Sequence, residues 1–154
     1  MIWDTTRSPK VLFAMTTTQF VPQQPATVGG LGVESDVVLR YFQSFNTGKY
    51  SQVASLFTEQ GMLYPPFEPP VVGPEKIADY LNKEADGMQV SLLSAKVELL
   101  EHGRVQVDVI GKVTALVFKV NVAWRFELTS QHQIESVKVD LVATLEELLK
   151  IRPS

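Results

Sequence analysis

The chain has 154 residues, of which 45% are apolar and 20% are charged, and this length and composition are typical of one globular domain. A net charge of −3 argues against a broad electrostatic attraction to nucleic acid, and the absence of cysteine excludes disulfides, thiolate metal sites and a cysteine nucleophile. No apolar run has the length of a membrane span, so we expect a water-soluble protein.

The N-terminal segment differs in composition from the rest of the chain. Residues 16–32 are rich in Thr, Gln, Pro and Gly and show no sustained hydrophobic period, which is typical of a flexible arm. We therefore divide the chain into an arm, residues 1–33, and a folded domain, residues 34–152.

The first half of the domain is predicted to contain three helices and one short strand. The first helix is predicted to begin at Glu34–Asp36 and to stop at the turn Asn46–Gly48, because apolar residues recur at helical spacing between them. A second short helix is predicted over Tyr50–Phe57. Gly61–Tyr64 is predicted as a strand that ends at two prolines. Pro74–Glu84 is predicted as a third helix with proline in its first turn.

After Glu84 the hydrophobic period changes to two, the period of a strand that is buried on one face. The predicted strands are Val90–Leu100, a strand that starts at Val105, Val120–Leu128 and Val137–Leu141, and a short amphipathic helix, Leu145–Ile151, follows them. Helices followed by long antiparallel strands predict an α+β fold in which helices cover one face of a curved sheet.

Several segments of the domain resemble the C-terminal domain of the orange carotenoid protein, which belongs to the nuclear transport factor 2-like superfamily. The most specific are the proline loop, residues 63–73, and the strand segment 121–126, which reads Asn-Val-Ala-Trp-Arg-Phe. Further similar segments are residues 38–42, 55–57, 111–113, 140–143 and 147–149. The resemblance covers residues 37–151 and implies a curved antiparallel sheet wrapped around helices, with a conical cavity.

The resemblance also implies a ligand and the residues that hold it. In the family, the keto group of a ketocarotenoid (canthaxanthin, echinenone or a similar pigment) accepts hydrogen bonds from one Tyr and one Trp, which match Tyr41 and Trp124 here. Each of these residue types combines a large apolar surface with one donor, although each is also typical of an ordinary core position. Eight further residues are candidates for lining the cavity: Leu63, Pro66, Phe67, Val109, Phe118, Val122, Phe126 and Leu141.

By this resemblance the chain is predicted to be a carotenoid carrier that delivers or accepts pigment and contributes to photoprotection by quenching singlet oxygen. We expect no enzymatic activity and no metal, and a cytoplasmic location near photosynthetic membranes. The expected partners are the carotenoid, a second copy of the chain that shares one pigment, and helical carotenoid proteins that exchange pigment. Transient membrane contact during pigment loading is also expected, whereas nucleic acid is not.

One segment departs from the family pattern. The loop Leu116–Lys119 is shorter than its counterpart and lacks a Trp that faces the helical domain of the full photoprotein. This difference argues against tight docking to such a domain.

Two alternative functions remain open from the sequence. The superfamily includes isomerases and polyketide cyclases, in which Tyr41 would act as a carbonyl donor and Asp140 as the base, but no second carboxylate is found at the predicted inward positions of the strands. The other alternative is a protein-binding module. His102 and His132 lie far apart in polar turn segments, so we predict no metal site.

Overall fold

The computed structural model describes the backbone of residues 33–142 and the side chains of residues 36–142. The predicted arm, apart from its last residue, and the predicted end helix Leu145–Ile151 lie outside the described residues. Within them, the helices and strands occur in the order ααββαββββ.

The three helices begin close to the predicted positions. They are α1 (Val33–Asn46), α2 (Tyr50–Ser55) and α3 (Pro74–Glu84). Helix α2 is two residues shorter than predicted because the backbone becomes extended at Phe57, where the first strand begins. Gly73, directly before α3, has a φ of 91°, a conformation that glycine adopts without a steric penalty.

Six strands form one sheet. They are β1 (Phe57–Tyr64), β2 (Val71–Val72), β3 (Gln89–Leu99), β4 (Val105–Ala115), β5 (Phe118–Leu128) and β6 (Ile134–Val142). Their spatial order is β2-β1-β6-β5-β4-β3. All neighbouring pairs are antiparallel except β1 and β6, which run parallel. The predicted α+β fold with a curved sheet and helices on one face is confirmed.

The two faces of the sheet differ in chemistry. Along a strand, successive side chains point to opposite faces, and directly paired residues share a face. Trp124 of β5 lies between Val109 of β4 and Val139 of β6, and this inner face packs against the helices. The outer face carries ion pairs, such as the one in which Arg125 Nε donates to Asp108 Oδ1 at 2.8 Å.

The core lies between the inner face and the helices. Helix α1 contributes five buried side chains, and β4, β5 and β6 supply most of the rest. None of the helices within residues 33–142 is long and apolar enough to cross a membrane.

Candidate functional site: a buried tyrosine and tryptophan

Tyr41 occupies the centre of an aromatic cluster. Its helix presents an apolar side chain to the sheet at every third or fourth position, so Tyr41 points into the core and is only 2% exposed. The ring makes edge contacts with Phe42 at 5.1 Å and Phe126 at 5.0 Å, measured between centroids, and lies 6.5 and 6.4 Å from Phe45 and Phe57. Four aromatic rings therefore surround it and fix its orientation.

Trp124 reaches the same cluster from the sheet. Its position in β5 directs the indole to the inner face, where it is 5% exposed and makes an edge contact with Phe42 at 4.9 Å. Tyr41 and Trp124 therefore both pack against one phenylalanine, although 83 positions separate them in the sequence. Phe42 was not singled out by sequence reasoning, because its helical spacing is the same as that of ordinary core residues.

The polar atoms of this pair have no acceptor in the described part of the chain. Neither Tyr41 Oη nor Trp124 Nε1 makes a hydrogen bond with any residue between 33 and 142. By contrast, buried Tyr50 donates its hydroxyl to the carbonyl oxygen of Ala85 at 3.0 Å. Buried donors are nearly always paired, because an unpaired one costs about 1–3 kcal/mol. Both donors are therefore available to an acceptor outside the described residues.

Burial also fixes the protonation state of the tyrosine. Removal from water disfavours the phenolate and raises the pKa of Tyr41 far above its ordinary value of 10.0. The hydroxyl therefore remains a neutral donor throughout the physiological pH range.

A glycine makes room for the indole. Gly111 of β4 lies opposite an irregular step of β3 between Leu92 and Ser94. A Cβ atom on Gly111 would lie 2.5 Å from the carbonyl oxygen of Ser91 and 3.2 Å from Cζ3 of Trp124. Only glycine allows both the backbone of β3 and the tryptophan ring to approach so closely.

We therefore expect Gly111→Ala to disturb the tryptophan. The added methyl group must push away either the Ser91 backbone or the indole, so we expect the free energy of unfolding to fall by about 1–3 kcal/mol. Urea unfolding followed by tryptophan fluorescence measures this. Thr114→Ala, at an exposed position of the same strand, is the control and should change stability by less than about 0.5 kcal/mol. Equal effects of the two changes would contradict this role of Gly111.

Four of the eight candidate lining residues lie near the pair on the inner face. Val109 pairs directly with Trp124, Val122 and Phe126 flank it in β5, and Leu63 of β1 pairs with Val137. All four candidates are at most 2% exposed. They remain candidates for lining a ligand site, and they also belong to the core.

The other four candidates lie farther from the pair, although Leu141, which pairs with Val122, and Phe118 also belong to the inner face. Pro66, Phe67 and Leu141 line an open groove of about 290 Å³, and Phe118 is 45% exposed beside the turn between β4 and β5. The groove is completed by Tyr64, Pro65, Glu68, Lys138, Val139 and Asp140. It forms where β1 ends at Tyr64 and β6 continues beyond Lys138, the last of its residues that pairs with β1.

Asp140 is not brought to the inner face with Tyr41. It pairs with Ala123, the neighbour of Trp124 in β5, and so points to the outer face, where it is exposed. The two histidines stay apart as well, His102 between β3 and β4 and His132 between β5 and β6. Within residues 33–142, no group of three or more His, Cys, Asp or Glu side chains is placed to hold a metal ion.

Comparison with known proteins agrees with the fold. The sequence pattern of the nuclear transport factor 2 (NTF2) domain matches residues 33–139, which includes every helix and nearly every strand described above. The chain belongs to the NTF2 domain family. Within this family it is similar to the orange carotenoid-binding protein of Limnospira maxima, with 34% identity over 124 residues.

The match includes most of the present chain but less than half of this relative. It covers 78% of the present chain but only 39% of the relative, a stretch that corresponds to its C-terminal domain. The predicted resemblance to that domain is confirmed.

Solved structures extend the comparison. The orange carotenoid protein of Anabaena (Nostoc) sp. PCC 7120, whose structure was solved binding canthaxanthin, is 29% identical with a TM-score of 0.73, over 90% of this chain and 47% of that one. A putative polyketide cyclase of Xanthomonas campestris, 17% identical, has a TM-score of 0.56 over 76% of this chain and 94% of its own. The latter likeness concerns the fold alone.

Proposed function

We propose that this NTF2 domain is a carotenoid carrier, in which Tyr41 Oη and Trp124 Nε1 donate hydrogen bonds to the keto oxygen of a ketocarotenoid such as canthaxanthin or echinenone. The observation that supports this most directly is the pair of buried donors against Phe42, neither of which has an acceptor within residues 33–142. A keto oxygen has two lone pairs and accepts two donors at once.

The surroundings of the pair suit a conjugated hydrocarbon. Val109, Val122 and Phe126 are apolar and buried beside the donors, so a ring placed there loses contact with water and gains about 25 cal/mol for each Å² of apolar surface buried. Neutral donors suit this setting better than a lysine, because burying an ammonium group without a counter-ion carries a much larger penalty. Burial would provide affinity, and the two donors would provide orientation and colour.

The expected colour change has an electrostatic origin. Two hydrogen bonds to the keto oxygen draw electron density toward that end of the conjugated chain, so the bound pigment should absorb at longer wavelength than the free pigment. Tyr41 remains protonated because its pKa is raised, and the red-shifted band should therefore not change between pH 6 and 9.

Size supports an assembly in which two chains share one pigment. A compact body of 154 residues has a radius of gyration of roughly 15 Å. A pigment held by one end would leave its other end exposed and apolar. A second copy related by a two-fold axis covers that end with the same surface. Native mass spectrometry that finds one chain per pigment would contradict the shared arrangement.

The remaining parts of the proposal concern exchange and location. We place the carrier in the cytoplasm near photosynthetic membranes, where it receives pigment through transient membrane contact and exchanges it with helical carotenoid proteins. Its benefit to the cell would be photoprotection through quenching of singlet oxygen by the carried pigment.

The geometry argues against the alternative of an isomerase or cyclase. A general base must lie within hydrogen-bond reach of the substrate, but Asp140 is exposed on the face of the sheet opposite to Trp124. The inner-face residues around Tyr41 and Trp124 are aromatic or aliphatic. We therefore propose that the domain is not an enzyme.

Expression in cells that make a ketocarotenoid tests the carrier proposal. We expect the full chain to purify with a visible absorption band that is red-shifted from that of the pigment in organic solvent. Asp140→Asn should purify with the same band and the same pigment content, because its side chain lies on the outer face.

A colourless protein after repeated mixing with ketocarotenoid would overturn the proposal. Turnover of a small ketone that Asp140→Asn abolishes would favour the enzyme instead.

A further inference from the structure

The turn between β4 and β5 exposes two apolar side chains almost completely and a third by nearly half. Ala115 pairs with Phe118, so Leu116 and Val117 form a two-residue loop. Leu116 is 101% exposed, Val117 is 91% exposed and Phe118 is 45% exposed. We call residues 115–118 the hairpin tip. Three neighbouring large apolar side chains on a protruding turn form a patch that soluble surfaces seldom expose without a purpose.

Neither the turn nor the core requires these residue types. Two-residue hairpin loops prefer Asn and Gly, because the favoured turns need a positive φ. Positive φ occurs at three non-glycine residues of the described chain, Phe67, His102 and His132, and so at neither residue of the loop. Polar residues would fit the turn at least as well, and the exposed side chains contribute little to packing. The apolar residues of the tip are therefore unexplained by folding.

Positive charge flanks the tip. Residues 110–124 contain Lys112 and Lys119 and no acidic residue, in a chain whose net charge is −3. Lys112 and Lys119 are exposed on the outer face, where they occupy neighbouring pairs of the β4–β5 ladder. On the adjacent strand β6, the acidic residue closest to the tip in register is Asp140, which pairs with Ala123 rather than with the last residues of the hairpin.

An apolar stripe joins the tip to the donor pair. The inner-face residues of β5, read from the tip inward, are Phe118, Val120, Val122 and Trp124, and those of β4 are Ala115, Val113, Gly111 and Val109. No polar side chain interrupts either row. At about 3.3 Å per residue, six residues of β5 separate Phe118 from Trp124 by roughly 20 Å.

We propose that the hairpin tip is a membrane-docking element, in which Leu116 and Val117 insert into an anionic lipid surface while Lys112 and Lys119 contact its headgroups. The inner face of the β4–β5 hairpin then offers the carotenoid a continuous apolar path between the bilayer and the Tyr41–Trp124 pair. This inference rests on the proposed carrier function and identifies the surface through which the carrier takes up its pigment.

The features of the tip favour a lipid surface over a protein partner. Its two most exposed residues project from a turn, which suits insertion into a deformable apolar phase. Apolar side chains beside lysines are the combination that peripheral proteins use on anionic membranes, where burial and headgroup attraction add together. Because the lysine contribution is electrostatic, salt should weaken binding.

Flotation of the full chain with lipid vesicles tests the docking. We expect binding to vesicles containing one-third phosphatidylglycerol in phosphatidylcholine, and weaker binding to pure phosphatidylcholine or at high salt. The double variant Leu116→Ser/Val117→Ser should reduce the partition coefficient about tenfold or more, and Lys112→Glu/Lys119→Glu should remove the preference for anionic lipid. Leu99→Ser, a change at another exposed leucine (76%) at the end of β3 that enters the turn to β4, is the matched control and should bind as the unmodified chain does.

Pigment delivery from two sources separates this proposal from the carrier function itself. From detergent micelles, the tip variants should take up canthaxanthin as well as the unmodified chain; from canthaxanthin-loaded anionic vesicles, they should take it up about tenfold more slowly. If the tip variants take up pigment from both sources as fast as the unmodified chain does, the docking proposal is wrong and the carrier function stands. Flotation without pigment uptake from either source would overturn the carrier function.

Self-association is the remaining outcome to exclude. If the tip variants change the sedimentation coefficient of the chain but not its flotation, then the hairpin tip is an interface between copies and the membrane assignment is wrong.

Discussion

Replacing Phe126 with alanine is expected to lower the free energy of unfolding by about 3–5 kcal/mol, the usual range for removing a fully buried aromatic ring. Phe126 is 0% exposed and makes edge contacts with Tyr41 at 5.0 Å and with Phe42 at 5.7 Å. Its loss leaves a cavity beside Tyr41 and Phe42, and this decrease is a large fraction of the stability of a typical domain. The midpoint of urea unfolding measures this decrease in the free energy of unfolding, provided that the m-value is the same for the variant and the unmodified chain.

Phe67 provides a control with the same chemical change. It is 92% exposed, on the proline loop after β1, so Phe67→Ala should alter stability by less than about 0.5 kcal/mol. A decrease of equal size in both variants would contradict the core described here.

Removing one donor should change the bound pigment without unfolding the protein. We expect Tyr41→Phe and Trp124→Phe each to weaken ketocarotenoid binding by about 0.5–1.5 kcal/mol, the net value of one hydrogen bond, and to shift the visible band to shorter wavelength. Titration of pigment-free protein with canthaxanthin, followed by its absorption, measures both effects. If both variants retain the unmodified spectrum, the donor assignment is wrong even if pigment binds.

Tyr50→Phe is the matched control for the tyrosine. Tyr50 is also buried, but its hydroxyl donates to the carbonyl oxygen of Ala85 at 3.0 Å, and removing it deletes that hydrogen bond while the oxygen keeps the one from Met88 N–H. Tyr50→Phe should therefore lower the free energy of unfolding of the pigment-free protein by about 0.5–1.5 kcal/mol, the net value of one hydrogen bond, and leave the band unchanged. Tyr41→Phe should shift the band and not lower that free energy, since its hydroxyl has no partner within residues 33–142. The two tyrosines should thus respond in opposite ways.

Much of the fold was predictable because local periodicity reports burial directly. The helical spacing in α1 identified Val37, Val38, Tyr41, Phe42 and Phe45 as one apolar face, and all five are buried. Alternation in β5 likewise separated inner from outer residues. Short elements escaped this reasoning because periodicity needs several turns or pleats. The start of β1 at Phe57 and the two-residue strand β2 are examples.

By itself, the sequence determined the α+β class, the strand that carries Trp124 and the helix that carries Tyr41, because each depends on a pattern within one segment. Only the tertiary structure decided that β1 runs parallel to β6 and that both donors pack against Phe42. It also decided that Gly111 makes room for the indole and that Leu116 and Val117 project from the sheet. These facts depend on register and on contacts between residues far apart in the chain, which no local hydrophobic pattern encodes.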